Sequence, residues 1–215
     1  LDKATGENIA GAKMRLEDQE GKAVKSWVTD ETPFSVKALP PGEDYHLVET
    51  CPAPGYATAK PVKFTVEDTA KVQKAIMEDE IIRVLIHKVD SQSGQPVVDA
   101  ALELKDGNGN VVDQWKSDGK GHMVERLTAG EKYILEETDA PENYELAGPV
   151  EFVVLDTPEV QVVSMSEEPS KQIVIPEIPK TGDEMPMKLV VGVVITSGVL
   201  MLFTVGIYMK RRNRR

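Results

Sequence analysis

Few residues in this 215-residue chain are of types that do chemistry. The three histidines, His46, His87 and His122, share no metal-ligand spacing. The single cysteine, Cys51, cannot make an internal disulfide. A thioester at Cys51 would need a partner glutamine in its own type of domain, and none is apparent, so an incidental thiol is the plain reading. There is no Ser/His/Asp arrangement, no glycine-rich phosphate loop and no metal cluster. The pattern therefore points away from an enzyme and implies no cofactor and no metal. One short peptide stands apart, Ile178-Pro179-Lys180-Thr181-Gly182. Pro179 fixes its own φ and biases Ile178 toward an extended conformation, so the segment is offered as a strand-like peptide. Gly182 leaves the Thr181 carbonyl unshielded.

The residues after that peptide decide its reading. From Leu189 to Tyr208 the sequence carries no charge. At about 1.5 Å rise per residue a helix of that length crosses a hydrocarbon core, and a transmembrane helix is expected over 188–209. The basic tail 210–215, Lys210 to Arg215, is then cytoplasmic by the positive-inside rule. An ordinary single-pass anchor would have the same span and tail. The added Ile178–Gly182 peptide resembles the LPXTG sorting signal, with Ile in the first place. That resemblance implies that a sortase cysteine attacks the Thr181 carbonyl, releases Gly182 onward, and passes the Thr181 acyl group to an amine. The amine would belong to a peptidoglycan cross-bridge or to a pilin lysine. The membrane would be a transient holder, and the mature protein would be covalently attached to the cell wall at the cell surface.

Charge narrows the partners further. The net charge is −11, and up to Gly182 there are 19 Lys and Arg against 34 Asp and Glu, a charge of −15. Such a surface repels phosphate backbones, so nucleic acid is not an expected partner. The chain opens at Leu1, without Met or an apolar leader. Because a wall-sorting signal requires export, the expectation is a fragment of a longer precursor.

The elements that must position any site come from an internal repeat at an offset of 88 residues, without gaps. Gly6 matches Gly94, Leu16 matches Leu104, Trp27 matches Trp115, and Gly42 matches Gly130. Tyr45, Glu49, Tyr56 and Phe64 match Tyr133, Glu137, Tyr144 and Phe152. A repeat of this length is a whole small domain. Within each copy, short runs alternate apolar and polar, as in Tyr45-His-Leu-Val-Glu49 and Val150-Glu-Phe-Val-Val154, which is strand patterning with one face buried. Turn signals at Thr5-Gly6, Pro40-Pro41-Gly42 and Asp118-Gly119 separate them. About seven short strands per copy indicate a small β-sandwich, with Trp27 and Trp115 as core anchors. The expected fold class is all-β: two tandem small β-sandwich domains, 1–80 and 81–168, then a linker over 169–187 that holds the 178–182 motif, then the single transmembrane helix.

The second copy runs from His87-Lys88-Val-Asp-Ser-Gln-Ser-Gly94 to Tyr133-Ile-Leu-Glu-Glu137-Thr-Asp-Ala-Pro141-Glu-Asn-Tyr144. The first has Tyr45-His-Leu-Val-Glu49-Thr-Cys-Pro-Ala-Pro-Gly55-Tyr56. These resemble the K-x-D-x-x-T-G opening and the E-T-x-A-P-x-G-Y box of Cna B-type (SpaA-like, prealbumin-like) domains, across nearly all of residues 1–168. Such domains form the stalks of Gram-positive surface adhesins and the shafts or bases of sortase-assembled pili. Many carry a spontaneous isopeptide bond between a first-strand lysine and a last-strand Asn or Asp, assisted by a buried Glu. The resemblance makes Glu49 and Asp79 candidates in the first copy. The matching lysine position precedes Leu1, and Lys3 aligns with Ser91 rather than with Lys88. In the second copy the candidates are Lys88, Glu137 and Glu167. Glu167 stands where the family has Asn or Asp, and its extra methylene displaces the carbonyl by about one C–C bond, in chemistry that tolerates little misplacement. The alternative is an uncrosslinked buried ionic cluster, and for Glu49 and Glu137 ordinary strand carboxylates.

Two functions fit. One is a structural stalk or pilin subunit, cleaved between Thr181 and Gly182. The other is an adhesin stalk whose ligand domain, for a host extracellular-matrix protein, lies upstream. The absence of a V-Y-P-K-type pilin motif favours a stalk, tip or base subunit, and the Ile-Pro-Lys-Thr-Gly spelling favours a pilin.

Overall fold

The computed structural model describes residues 1–170, 191–196 and 199–204. It falls into two compact units, Leu1–Lys171 and Gln172–Arg215. The first unit is all strand and loop, and contains both repeats.

In the first repeat, strands β1 (Lys13–Glu17), β2 (Ala23–Val28), β3 (Asp44–Cys51) and β4 (Val62–Thr65) form one antiparallel sheet in the order β2-β1-β3-β4. Seven strands make up the second repeat: β5 (Arg83–Asp90), β6 (Val98–Asp106), β7 (Val111–Asp118), β8 (His122–Glu125), β9 (Lys132–Asp139), β10 (Val150–Val153) and β11 (Gln161–Glu167). They make two sheets, β10-β9-β6-β7 and β11-β5-β8, with β11 parallel to β5. The first sheet is the counterpart of the sheet in repeat one, strand for strand.

The alternating runs produce the alternating burial they predict. Along β3, Tyr45, Leu47 and Glu49 point inward, as do Tyr133, Leu135 and Glu137 along β9. Apolar side chains on one face of a pleated strand leave water together, and that burial is the main driving force for stacking two sheets. Ile82, Val84, Ile86, Leu102, Leu104, Leu135, Val154 and Met165 form the aliphatic centre of the second repeat. Ala12, Met14, Leu47, Ala53, Tyr56 and Met77 form that of the first.

Two expectations are corrected. First, the tryptophans are not at the centres. Trp27 and Trp115 sit half-buried on the edge strands β2 and β7, packed against the cores from outside. Each stacks on a neighbour, Trp27 on Phe34 and Trp115 on His122, because an edge strand offers a ring only one buried face. Second, the first repeat lacks seven laddered strands. Both β8 and β11 pair with β5; in the first repeat the matching contact is the parallel bridge of Asp2 to Asp79.

The expected helix over 188–209 lies partly outside the described residues. The twelve described residues within it are strands, β12 (Val191–Thr196) and β13 (Val199–Thr204), paired antiparallel from Val191↔Thr204 to Thr196↔Val199. The run is rich in Val, Ile and Thr, whose branched side chains fit strands well. A helix is compelled only where hydrocarbon surrounds a lone segment and leaves its backbone groups no other partner. Among the described residues, no helix is long and apolar enough to cross a membrane. The linker residues 171–187, the 178–182 motif and the 210–215 tail also lie outside the described residues.

Candidate functional site

Each repeat has a carboxylic acid set into its core by strand alternation. Glu49 follows Tyr45 and Leu47 on the inward row of β3, and Glu137 follows Tyr133 and Leu135 on that of β9. Their Oε2 atoms are held alike: Ala59 N–H donates to Glu49 at 2.7 Å and Ala147 N–H donates to Glu137 at 2.7 Å. The Oε1 atoms are buried without a hydrogen-bond partner.

In the first repeat Glu49 faces Asp79, and both are about 5 % exposed. Burial in an apolar setting disfavours the charged form of each. It pushes Glu49 up to about 7, against the Ala59 N–H that favours charge, and the nearby Asp79 carboxylate raises it further. Asp79 is raised as well, first by burial. Each carboxyl disfavours the charge of the other, so the two titrate as a pair. Lys3 takes no part. It is exposed and bonds Glu80 at 2.6 Å.

The second repeat adds a cation. Lys88 on β5 and Glu167 on β11 are inward-facing on neighbouring parallel strands, with Met165 opposite Lys88 in the register. The Lys88 Nζ lies 3.2 Å from Glu137 Oε1 and 3.4 Å from Glu167 Oε2, and all three side chains are essentially sealed from solvent. These are ion-pair distances, yet the approach angles are not those of hydrogen bonds, and Nζ, Glu137 Oε1 and both Glu167 oxygens remain without a hydrogen-bond partner. Glu167 is pushed up to about 7, first by burial and then by the neighbouring Glu137 carboxyl, with Lys88 opposing. The three sequence candidates are thus brought together around one amine, and the longer Glu167 side chain does reach it.

The remaining chemical residues lie elsewhere. Cys51 is exposed at the end of β3. His122 Nε2 is 2.8 Å from Asp113 Oδ2, at the Phe34 position of the second repeat. Among the described residues, no group of three His, Cys, Asp or Glu could hold a metal ion.

A second constellation was not anticipated from the sequence. Asp2 Oδ1 accepts the Ala4 and Thr5 N–H groups at 2.8 and 3.1 Å, which closes the turn ending at Gly6. Its Oδ2 accepts the Tyr56 hydroxyl at 2.8 Å and Arg126 Nη2 at 3.1 Å. The Tyr56 bond leads in holding the Asp2 carboxyl down at about 2. The second repeat keeps the pair as Asp90 and Tyr144, at 3.1 Å. The matching of Asp2 with Asp90 at the repeat offset was the available signal. Nothing in the repeat marks Arg126, whose counterpart is Ala38.

A family model described as the SpaA prealbumin-like fold domain matches residues 1–80 and 82–169. A search of the curated proteins finds no relative. Among solved structures the chain is similar to the Bacillus anthracis TIE protein, at 24 % identity and TM-score 0.47, covering 78 % of this chain and 32 % of that one. It is also similar to the shaft pilin SpaA from Lactobacillus rhamnosus GG, at 12 % identity and TM-score 0.37, covering 77 % and 87 %. A C-terminal fragment of the pilus adhesin SpaC from the same organism matches at 14 % identity and TM-score 0.42, covering 77 % and 91 %. This chain spans about a third of the length of the TIE protein.

Proposed function

The chain belongs to the SpaA family of prealbumin-like fold domains, and on that footing we propose that it is a structural stalk or pilin segment anchored covalently to the cell wall. The observation that carries the anchoring is the order of three sequence features after two such domains: the Ile178–Gly182 peptide, an uncharged run from Leu189 to Tyr208, and the basic end from Lys210. In the proposed step a sortase thiolate attacks the Thr181 carbonyl carbon. The Thr181–Gly182 C–N bond breaks and the Gly182 amine leaves with a proton. The acyl thioester then passes to a peptidoglycan or pilin-lysine amine, and the thiolate is regenerated. The chain is the substrate of this transfer and supplies no catalytic group.

The second domain would be toughened by its own chemistry. Lys88 as a neutral amine attacks the Glu167 carboxyl carbon, an Nζ–Cδ bond forms, and one water leaves. Glu137, held by the Ala147 N–H, would shuttle the proton. A cross-link between β5 and β11 ties the first strand of the domain to the last. The support for it is the enclosed 3.4 Å approach of Nζ to Glu167.

Mass spectrometry of protein released by wall digestion tests the anchoring. The expected C-terminal residue is Thr181, joined to a wall or pilin amine, and a C-terminus beyond Thr181 would refute it. A high-mass ladder that depends on a pilin sortase indicates polymerisation. A single monomeric band on the wall indicates a stalk, consistent with an upstream ligand domain.

A further inference from the structure

The end of the first domain meets the start of the second with almost no intervening chain. Ile82 N–H donates to Gly55 O at 3.0 Å, Ala57 N–H to Glu80 O at 2.9 Å, and Arg126 N–H to Ile82 O at 2.9 Å. The Arg126 guanidinium lies over the Tyr56 ring, 4.8 Å from its centroid. It also donates to the Tyr56 hydroxyl and to Asp2. On the far side, Thr58 N–H and Oγ1–H both donate to Asp156 at 2.7 Å.

Gly55 is where the two backbones approach most closely. A Cβ at this position would lie 2.8 Å from Arg126 Cβ and 3.0 Å from its Cα and carbonyl oxygen, and Gly55 has φ +86°. These are main-chain and Cβ atoms, which cannot swing aside. Asn143 occupies the corresponding place in the second domain, with φ 72°. Its carbonyl takes the Ser170 N–H at 2.7 Å, just as Gly55 takes Ile82, so the local backbone is reproduced. Asp90 and Tyr144 are reproduced too. What differs is the added Cβ, and among the described residues no guanidinium sits on that pair.

We propose that Gly55, Tyr56 and Asp2 form a docking socket for the arginine-bearing loop of the next domain along the chain. The partner that fits is a domain of the same fold with a cation at the Arg126 position on a left-handed backbone. Gly55 is the selecting residue, because its missing side chain admits the Arg126 main chain. Asn143 closes the same socket on the second domain, which makes that domain the last of a tightly stacked series. Arg126 has φ 64°, a conformation asparagine tolerates well, so the guanidinium can be removed without forcing the backbone.

The test uses the full chain in detergent, with spin labels on the exposed Cys51 and on Cys introduced at Asp139, its counterpart. Pulsed electron–electron distances report how the two domains are held. The parent should give one narrow distribution. Gly55→Asn, which transplants the second domain's own residue, should broaden it at least about twofold, as for domains joined without a fixed interface. Arg126→Asn should do the same, and Asn143→Gly should leave it unchanged. Circular dichroism checks that each variant is folded. Should Gly55→Asn fail to fold, Arg126→Asn decides. A distribution as narrow as the parent's in folded Gly55→Asn, or in Arg126→Asn, overturns the proposal.

Discussion

Replacing Glu49 by glutamine should remove most of the pH dependence of the first domain's stability. In the folded state burial and the neighbouring Asp79 lift Glu49 from its ordinary 4.5 to about 7. The folded protein therefore holds a proton that the unfolded chain has released between those pH values. Stability from this group is fully present below about pH 4.5, falls as pH rises, and is lost by the time pH passes about 7. At about 1.4 kcal/mol for each tenfold change in proton affinity, the displacement is worth about 3 kcal/mol. Glu49 is 5 % exposed, so solvent screening takes little from that figure. At about 2–4 °C per kcal/mol for a chain of this size, the melting point should drop by about 10 °C between pH 4.5 and pH 8. Glutamine has the shape of the protonated acid. It can accept the Ala59 N–H through its oxygen and donate to Asp79 through its amide, at every pH. The assay is thermal unfolding followed by Trp27 fluorescence in a Trp115→Phe background, so that the first domain alone is read. The variant should lie within about 1 kcal/mol of flat over this range, the remainder being Asp79's own titration in its buried site. The reasoning fails if Glu49→Gln retains the parent's full slope.

The second domain offers further outcomes. Intact-mass measurement of the full chain should come out lighter than the sequence by one water, with Lys88→Met returning to the full calculated mass; a parent at full mass would exclude the Lys88–Glu167 bond. In a cross-linked chain Glu167 is an amide, and stability of the second domain, read by Trp115, should show no loss as pH rises through about 7. With a free Glu167 carboxyl, a loss of the same sign as for Glu49 would be seen. Leu104→Ala, at a fully buried position on the central strand β6, should cost about 3 kcal/mol in urea unfolding, through lost burial and the cavity left behind. A cost below about 1 kcal/mol would mean the site collapses freely.

Much of the candidate site was legible because strand alternation is a local rule. Tyr45, Leu47 and Glu49 share one parity, and so do Tyr133, Leu135 and Glu137, so the pattern along the chain commits each glutamate to the buried face. The 88-residue offset then identified Asp79 and Glu167 as equivalent partners. The tryptophans show the limit of that reading. Large apolar residues suggest a centre, but whether a strand lies at the middle or the edge of its sheet depends on pairings with distant segments, and β2 and β7 are edges. The uncharged run after Leu189 has a composition that permits strand or helix, and its surroundings select between them.

Sequence was enough for the repeat, the sandwich class, the inward-facing acids and the Ile178–Gly182 peptide with its apolar and basic sequel. Each depends on periodicity or on neighbours along the chain. It took the folded arrangement to set Lys88 within 3.4 Å of Glu167, and to bury Glu49 and Asp79 beside each other in the protein interior. Folding likewise joined Arg126 to Asp2, 124 positions apart. Such contacts arise where sheets close and domains stack, and no spacing along one chain encodes the distance between residues that meet only through packing.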